Sequence, residues 1–469
     1  MTLLDFISHK IQPKKQWSST FILNLSFQSQ LLLILIQWIL NNFIPDHTPD
    51  GVFQKIQIIE PQSPTDVVID TILSPFVRWD AVYFLHIAQF GYSYENTIAF
   101  FPLFPKLVHC VAFVIYHVTF HSLNTSSCFL LSAILINFIC FSLSTLVIYK
   151  LALIVSNKNF NFSSIVVVLF ILNPSRVFFI APYSEALFSL TSFLGILSLY
   201  DSWNFKGCIF FAFSVATRSN GILNVGFIIH KYMHLFVSCL QIKKKKIPYW
   251  SLLWNSICLF FAIGFIIAPF IFYQNTTRSL FCDPQNSNLS ISNSHVISHG
   301  VKHNYVLPGT SRGSYCSSYE FPYSYVQRHY WNVGFLRYFQ FKQIPNFLLA
   351  APILLLIFHA AYEYFIKSKK IKLLANGQVF KINHYNAKHF KCSFLFSYYL
   401  HAFFLSLFCF LCIHVQVSTR MLLSSSPLTY FIVAKYVTER HYLAKYCLLY
   451  FCSYSILGLL LFTNYYPWT

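Results

Sequence analysis

Apolar residues along the chain gather in runs near twenty positions and do not alternate with polar ones. The first clear run is Phe21 to Leu40. The others lie near 103 to 120, 128 to 153, 163 to 181, 184 to 200, 206 to 217, 219 to 237, 252 to 273, 346 to 366, 393 to 416, 427 to 438 and 447 to 464. A helix needs about 20 such residues to cross a bilayer core, whereas a barrel strand would alternate over about ten. The pattern predicts an all-α polytopic membrane protein in which residues 1–469 form a single transmembrane domain of about 11–12 helices. The run at 163 to 181 is broken by Asn173, Pro174 and Arg176. The apolar stretch before the break is too short to span as a helix, and broken backbone at membrane depth is tolerated only inside protein or beside a wet cavity. This segment is therefore expected to be part of a site.

Composition agrees. The chain is 56% hydrophobic and 10% charged, against roughly 25% charged in soluble domains. Its 53 Phe and 30 Tyr exclude a solvated coil. A formal charge of +19 would suggest nucleic acid in a soluble protein, but here Lys sits in short clusters between apolar runs and reports sidedness, so no nucleic-acid partner is expected. Lys10, Lys14 and Lys15 precede the first run, which reads as a signal anchor. Seven of the 14 acidic residues then fall in 41–100, against Lys55 and Arg78. Lys243 to Lys246 and the linker 367–391, with seven Lys and no acid, should face the cytoplasm, and 41–100 and 274–345 the lumen. Six runs lie between the first loop and Lys243, whereas opposite sides require an odd number of crossings. The run at 163 to 181 is read as the one that does not cross.

Cys and His are read as scattered, most Cys as small hydrophobes, and no metal site is expected. Cys282 and Cys316 share a polar loop, and a disulfide between them is left open. Of the Asn-x-Ser/Thr sequons, only Asn275 and Asn288 lie where glycosylation could occur. Asp66 and Asp70 read as acids that solvate the first loop.

The densest chemistry runs from Ser74 to Pro105, with Arg78, Trp79 and Asp80 together, then His86, Gly91, Tyr92 and Phe100 to Pro105. On residue types alone the favoured reading is an interfacial helix whose Trp anchors at the headgroups and whose Asp faces water. The segment nevertheless resembles, almost residue for residue, the lumenal motif of the GPI mannosyltransferase 2 family, of the glycosyltransferase C superfamily. The resemblance recurs in Asn173 to Leu187 (NPSRVFFIAPYSEAL), Ala216 to Gly221 (ATRSNG), Pro322 to Pro352, His414 to Pro427 (HVQVSTRMLLSSSP) and the closing Tyr466 to Thr469. The loop Asn275 to Gly313 and the 367–391 linker depart from it.

That resemblance implies a glycosyltransferase C-type bundle with two large lumenal loops, 41–100 carrying the catalytic Asp and 274–345 the second. It implies transfer of the second mannose, α-1,6, from dolichol-phosphate mannose to a mannosylated GPI precursor, in the endoplasmic reticulum membrane with a lumenal active site. Asp80 is the matching general base for an inverting displacement; no cofactor or metal is implied. Arg78, Trp79, Arg218, Arg420, Arg328, Arg337, Glu185, Tyr183 and His329 are candidates for binding donor phosphate or substrate. Snorkelling to headgroups is an equal reading of Arg328 and Arg337, and helix-dipole stabilisation is an equal one of Glu185. Partners are the donor, the acceptor glycolipid and the surrounding lipids; an accessory membrane subunit is left open. Two other readings stay on the table. One is a dolichol-linked transferase with a different acceptor. The other is a transporter, for which repeated halves with paired broken helices are missing from the sequence.

Overall fold

The computed structural model describes residues 15–48, 53, 56, 60–200, 204–240, 249–286, 294–367, 387–466 and 468. Its helices, in chain order, begin with α1 (Ser19–Phe43), α2 (Pro64–Leu73), α3 (Asp80–Phe90), α4 (Leu103–Val118), α5 (Thr125–Val155) and α6 (Phe160–Ile171). They continue with α7 (Glu185–Ser198), α8 (Asn204–Thr217), α9 (Val225–Leu240), α10 (Tyr249–Cys282), α11 (Ser294–Lys302) and α12 (Pro322–Trp331). The last are α13 (Ile344–Tyr362), α14 (Ala387–Cys412), α15 (Ser418–Ser425), α16 (Leu428–Thr438) and α17 (Ala444–Thr463). Among the described residues there is no strand. Six helices are long and apolar enough to cross a membrane: α1, α5, α10, α13 with its flanking turns, α14 and α17. Five apolar helices, α4, α6, α7, α8 and α16, are shorter. All eleven occupy apolar runs of the sequence. Exposed Phe, Leu and Trp along α1 and α10, such as Leu32, Trp250, Phe260 and Phe272, give these helices the apolar outer surface that lipid contact requires. The fold is that of an all-α multi-pass membrane protein.

The broken run is where expected. With 12 residues, α6 rises about 18 Å, and it ends at Ile171 because Pro174 cannot continue it. The backbone that follows is deeply buried, and its polar groups are met by side chains. Asn173 Oδ1 accepts from the Ser175 N–H and hydroxyl at 2.8 and 2.9 Å, while its Nδ2 donates to the Tyr430 hydroxyl of α16 at 2.9 Å. From α5, Asn137 Nδ2 donates to the carbonyls of Ala181 and Tyr183 at 2.5 and 2.9 Å. Arg176, 2% exposed, lays its guanidinium 3.4 Å above the Phe141 ring. These contacts deliver Tyr183, Ser184 and Glu185, the start of α7, into the interior.

The loops are more structured than their polarity implies. α10 continues as helix through residues assigned above to the second loop, because Tyr273 and Phe281 pack there against Tyr315 and Val326. Asn275 therefore lies on a helix; Asn288, Lys243 to Lys246 and residues 368–386 of the basic linker lie outside the described residues. Cys282 and Cys316 are joined by a disulfide. The reading of Asp66 as a solvating acid is corrected. It is buried, forms a reciprocal capping box with Ser63 at the start of α2, and its Oδ1 accepts from the Asn124 N–H at the start of α5 at 3.0 Å. Burial alone would raise its pKa, but hydrogen bonds from Ser63, Ser127 and Asn124 hold the carboxyl below its ordinary value. Asp70 is exposed, as expected.

Asp66→Ala should cost about 1 to 2 kcal/mol, as lost helix caps do, measured by thermal unfolding of the purified chain in detergent. A depressed folded pKa means that this stabilisation is complete above the unfolded value of about 4 and fades as pH falls through the lower folded value. The gap between wild type and variant should thus be constant above about pH 5 and shrink in stronger acid.

Candidate active site

The site is built on a turn that no ordinary residue adopts freely. Trp79 sits at φ 53°, ψ −122° just before α3, a conformation that costs about 1 to 3 kcal/mol outside glycine and persists only when neighbours enforce it. Here the neighbour is Tyr183. Its hydroxyl accepts from the Asp80 N–H and donates to the Arg78 carbonyl, both at 3.1 Å, thereby clasping the backbone on either side of Trp79. The result puts Asp80 on the first turn of α3 with its side chain at the edge of an internal cavity.

Two arginines and a second carboxylate face it. Arg420 Nη2 lies 2.9 Å from Asp80 Oδ2, and Arg420 Nε lies 3.5 Å from Glu185 Oε1. Arg218 Nη1 contacts the same Glu185 oxygen. Glu185 is fully buried at the first residue of α7; both readings of it, partner for arginine and helix-start carboxylate, describe the same position. Removing one member would strand the others in a site of low polarisability, which is where unpaired charge is most costly. Two helix N-termini, those of α3 and α7, also point their partial positive charge into this space.

The cavity measures about 1460 Å³ and has two unlike ends. The polar end holds Trp79, Asp80, Tyr183, Glu185, Arg218 and Arg420. The other is a mainly apolar limb between α9 and α14, lined by Ile229, Met233, Phe396, Leu400, Phe404 and Phe408, with His230, Ser397 and His401 among them. Along α14 the lining runs from Phe396 to Cys412, about 24 Å of helix.

The remaining sequence candidates fall elsewhere. Arg78 is buried away from the cavity as a clamp. It donates from Nε to the Thr463 carbonyl at 2.9 Å and from Nη2 to Asn41 and Asp46 at 3.1 and 3.2 Å, and it lies 4.2 Å over Tyr465. It thus ties the end of α1, the turn before α3 and the end of α17. Arg328 pairs with Glu320 at 2.9 Å and is half exposed; Arg337 is exposed beside Asn332; the His329 ring stacks on Tyr325. None of the four lines the cavity. The reason is helical phase. On α12 the cavity face is Tyr323, Ser324, Gln327 and Trp331, which recur at three- and four-residue helical spacing, so Arg328 and His329 look elsewhere. That spacing was readable in the sequence, as were Asn220 in ATRSNG and His414 and Gln416 in HVQVSTR, all of which line the cavity.

Ligand-like spacings were also passed over. His295, His299 and His303 recur every four residues at α11, and Cys409 and Cys412 sit three apart on α14. The rings of His299 and His303 lie 4.4 Å apart, but among the described residues no group of three His, Cys, Asp or Glu could hold a metal ion.

The two loops meet at a hub that the sequence did not single out. Glu95, buried, accepts hydrogen bonds from Ser311, from the Tyr315 hydroxyl at 2.8 Å and from the Tyr330 hydroxyl at 2.8 Å. Burial first, with the Glu95 carboxylate adding to it, pushes both tyrosines up, so they remain protonated donors.

An all-helical multi-pass protein whose acid and arginine side chains share the head of an apolar cavity has the layout of a membrane enzyme acting on a charged lipid. Comparison with known proteins narrows this. Residues 20–469 match the family model for mannosyltransferase (PIG-V). The chain is 34% identical to GPI mannosyltransferase 2 of Drosophila pseudoobscura pseudoobscura over 96% of this chain and 99% of that one. It is 31% identical to human GPI alpha-1,6-mannosyltransferase 2 over 96% and 98%, and 26% identical to the Caenorhabditis elegans GPI mannosyltransferase pigv-1 over 88% and 71%. The chain belongs to the PIG-V mannosyltransferase family and is a mannosyltransferase of GPI-anchor biosynthesis.

Activity assays in membranes carrying equal amounts of each variant should separate the arginines. Arg218→Ala and Arg420→Ala should each lose about a hundredfold or more in mannose transfer, as fits removal of one partner of a buried charged pair. Arg328→Ala and Arg337→Ala should stay within about twofold, as exposed charges do. Tyr183→Phe strands the Asp80 N–H, at about 1 to 3 kcal/mol, and leaves the Arg78 carbonyl only the Ala81 N–H at 3.1 Å; it should lower kcat by about tenfold or more.

Proposed function

We propose that the chain transfers the second mannose, through an α-1,6 linkage, from dolichol-phosphate mannose to a mannosylated GPI precursor at the lumenal face of the endoplasmic reticulum membrane. The observation that carries this reading is one cavity with two ends: a carboxylate beside two arginines at the head, and a long apolar limb behind them. A phosphate on an isoprenoid tail needs both.

The acceptor's 6-hydroxyl is a poor nucleophile. Asp80 takes its proton while the oxygen bonds to C1 of the donor mannose; the C1–O bond to phosphate breaks, and dolichyl phosphate leaves with the electron pair. Attack from the face opposite the leaving group inverts the β-linked donor to an α-linked product. No proton is needed on the leaving oxygen, because the phosphate is a stabilised anion, so one carboxylate suffices where glycosidases use two.

The donor phosphodiester carries one negative charge and the departing phosphate gains a second. Arg218 and Arg420 therefore attract the transition state more strongly than the bound donor, which is the differential that raises rate. Glu185 holds both guanidinium groups in place and balances them before donor arrives. Charge clusters in the sequence support the lumenal orientation; the family supports the endoplasmic reticulum and the GPI acceptor.

Asp80→Asn keeps size and most hydrogen bonding while removing the base. It should lose about 10² to 10⁴ in kcat with donor binding retained, whereas Asp70→Asn, exposed in the same loop, should transfer normally. In cells lacking the protein, GPI precursors should accumulate with a single mannose. A stall at another stage, or intact GPI with a different glycan defect, would transfer the reading to another dolichol-linked transferase.

A further inference from the structure

We infer that Trp331 is the platform on which the acceptor's terminal sugar ring stacks, and that Glu95 is the residue that positions it; this rests on the transferase reading above. Trp331 closes α12 and lines the same cavity as Asp80. Arg218, Arg420 and Glu185 claim one side of Asp80 for a phosphate, and the apolar limb continues from there. The region of Trp331 is different in kind: it is aromatic and uncharged. Tyr83 and Phe100 stand 6.0 Å from its ring, Phe100 edge-on at 80°, and Gln327, Gln416 and Asn220 contribute side-chain amides to the same cavity.

That combination matches a pyranose. The C–H face of a sugar ring is weakly positive and packs on the negative face of an aromatic system. Its hydroxyls need both donors and acceptors, and amide side chains supply both.

The platform is fixed from three directions. The Trp331 carbonyl is hydrogen-bonded to His414 Nε2 at 2.6 Å. Asn332, at φ 53°, turns the chain sharply at the end of α12. The Tyr330 hydroxyl donates to Glu95 at 2.8 Å, which anchors the last turn of α12 to the first loop, the loop that also carries Asp80. Glu95 therefore sets the spacing between base and platform without itself lining the cavity.

The test varies the mannose-terminated acceptor at saturating donor, then the donor at saturating acceptor, with the full chain in membranes. Trp331→Ala should raise the acceptor KM about tenfold while the donor KM stays within about twofold, and Trp331→Phe, which keeps a ring, should recover most of the loss. Tyr330→Phe should move the acceptor KM in the same direction by a smaller factor. Equal rises in both KM values, or an unchanged acceptor KM in Trp331→Ala, overturn the proposal. A second measurement needs no turnover: equilibrium binding of the acceptor's water-soluble headgroup to Asp80→Asn and to Asp80→Asn combined with Trp331→Phe or Trp331→Ala. Binding that is kept in the first, weakened in the second and lost in the third supports the platform; equal binding in all three, or none in the first, overturns it. Headgroup binding that depends on Trp331 while the wild-type chain transfers no mannose would instead sink the transferase reading and leave the platform standing.

Discussion

The site depends on a stretch of backbone that is not helical yet lies inside the bundle. Exposed to hydrocarbon, each unmet N–H or C=O between α6 and α7 would cost several kcal/mol. Asn173 meets its own turn and reaches Tyr430, Asn137 meets the carbonyls of Ala181 and Tyr183, and Arg176 stacks on Phe141. The hydrogen bonds of Asn173 and Asn137 let Tyr183 and Glu185 stand where they do. Tyr183 in turn holds the strained turn at Trp79, and that turn aims Asp80. The chain of cause runs from a proline that stops a helix to a carboxylate some ninety residues earlier in sequence, through two hydrogen bonds of one phenol.

Much of this was legible in the sequence, for physical reasons that differ from part to part. Long apolar runs located the helices because a bilayer demands length, and Asn173-Pro174 located the break because proline forbids continuation. Charged residues in apolar surroundings are rare enough that Arg218 and Arg420 stood out, whereas Asp80 was singled out by its match to the family motif and Glu185 was equally readable as a helix-start carboxylate. Arg78, Arg328, Arg337 and His329, also raised as candidates, do not line the cavity, since rarity says nothing about direction: Arg78 clamps three chain segments, and helical phase turns Arg328 and His329 from the cavity that Gln327 and Trp331 face. Asp66 was misread although Ser63-x-x-Asp66 is a capping pattern; attention to loop charge hid a local motif. Glu95 was beyond reach, because its partners Tyr315 and Tyr330 lie more than 200 residues away.

Arg78 nonetheless matters to the site. By binding the end of α1, the turn before α3 and the end of α17, it fixes the residue two places before Asp80 from the side opposite Tyr183. A buried guanidinium with several acceptors does this better than lysine, whose point charge lacks the planar fork. The Arg-Trp-Asp sequence thus divides its labour. Arg78 anchors, Trp79 bends and Asp80 faces the cavity.

The charge arrangement of the head group of residues has a further consequence. Asp80 and Glu185 together balance Arg218 and Arg420, so the empty site is close to neutral and can exist at low polarity without large desolvation cost. A net positive site would bind the donor more tightly, but it would also hold the departing dianion and slow its release. Under the proposed mechanism, a neutral quartet would bind a monoanionic donor modestly and respond most to the charge that develops as the bond to phosphate breaks. Glu185, which touches no reacting atom in that mechanism, would then turn two arginines from an anion trap into transition-state stabilisers.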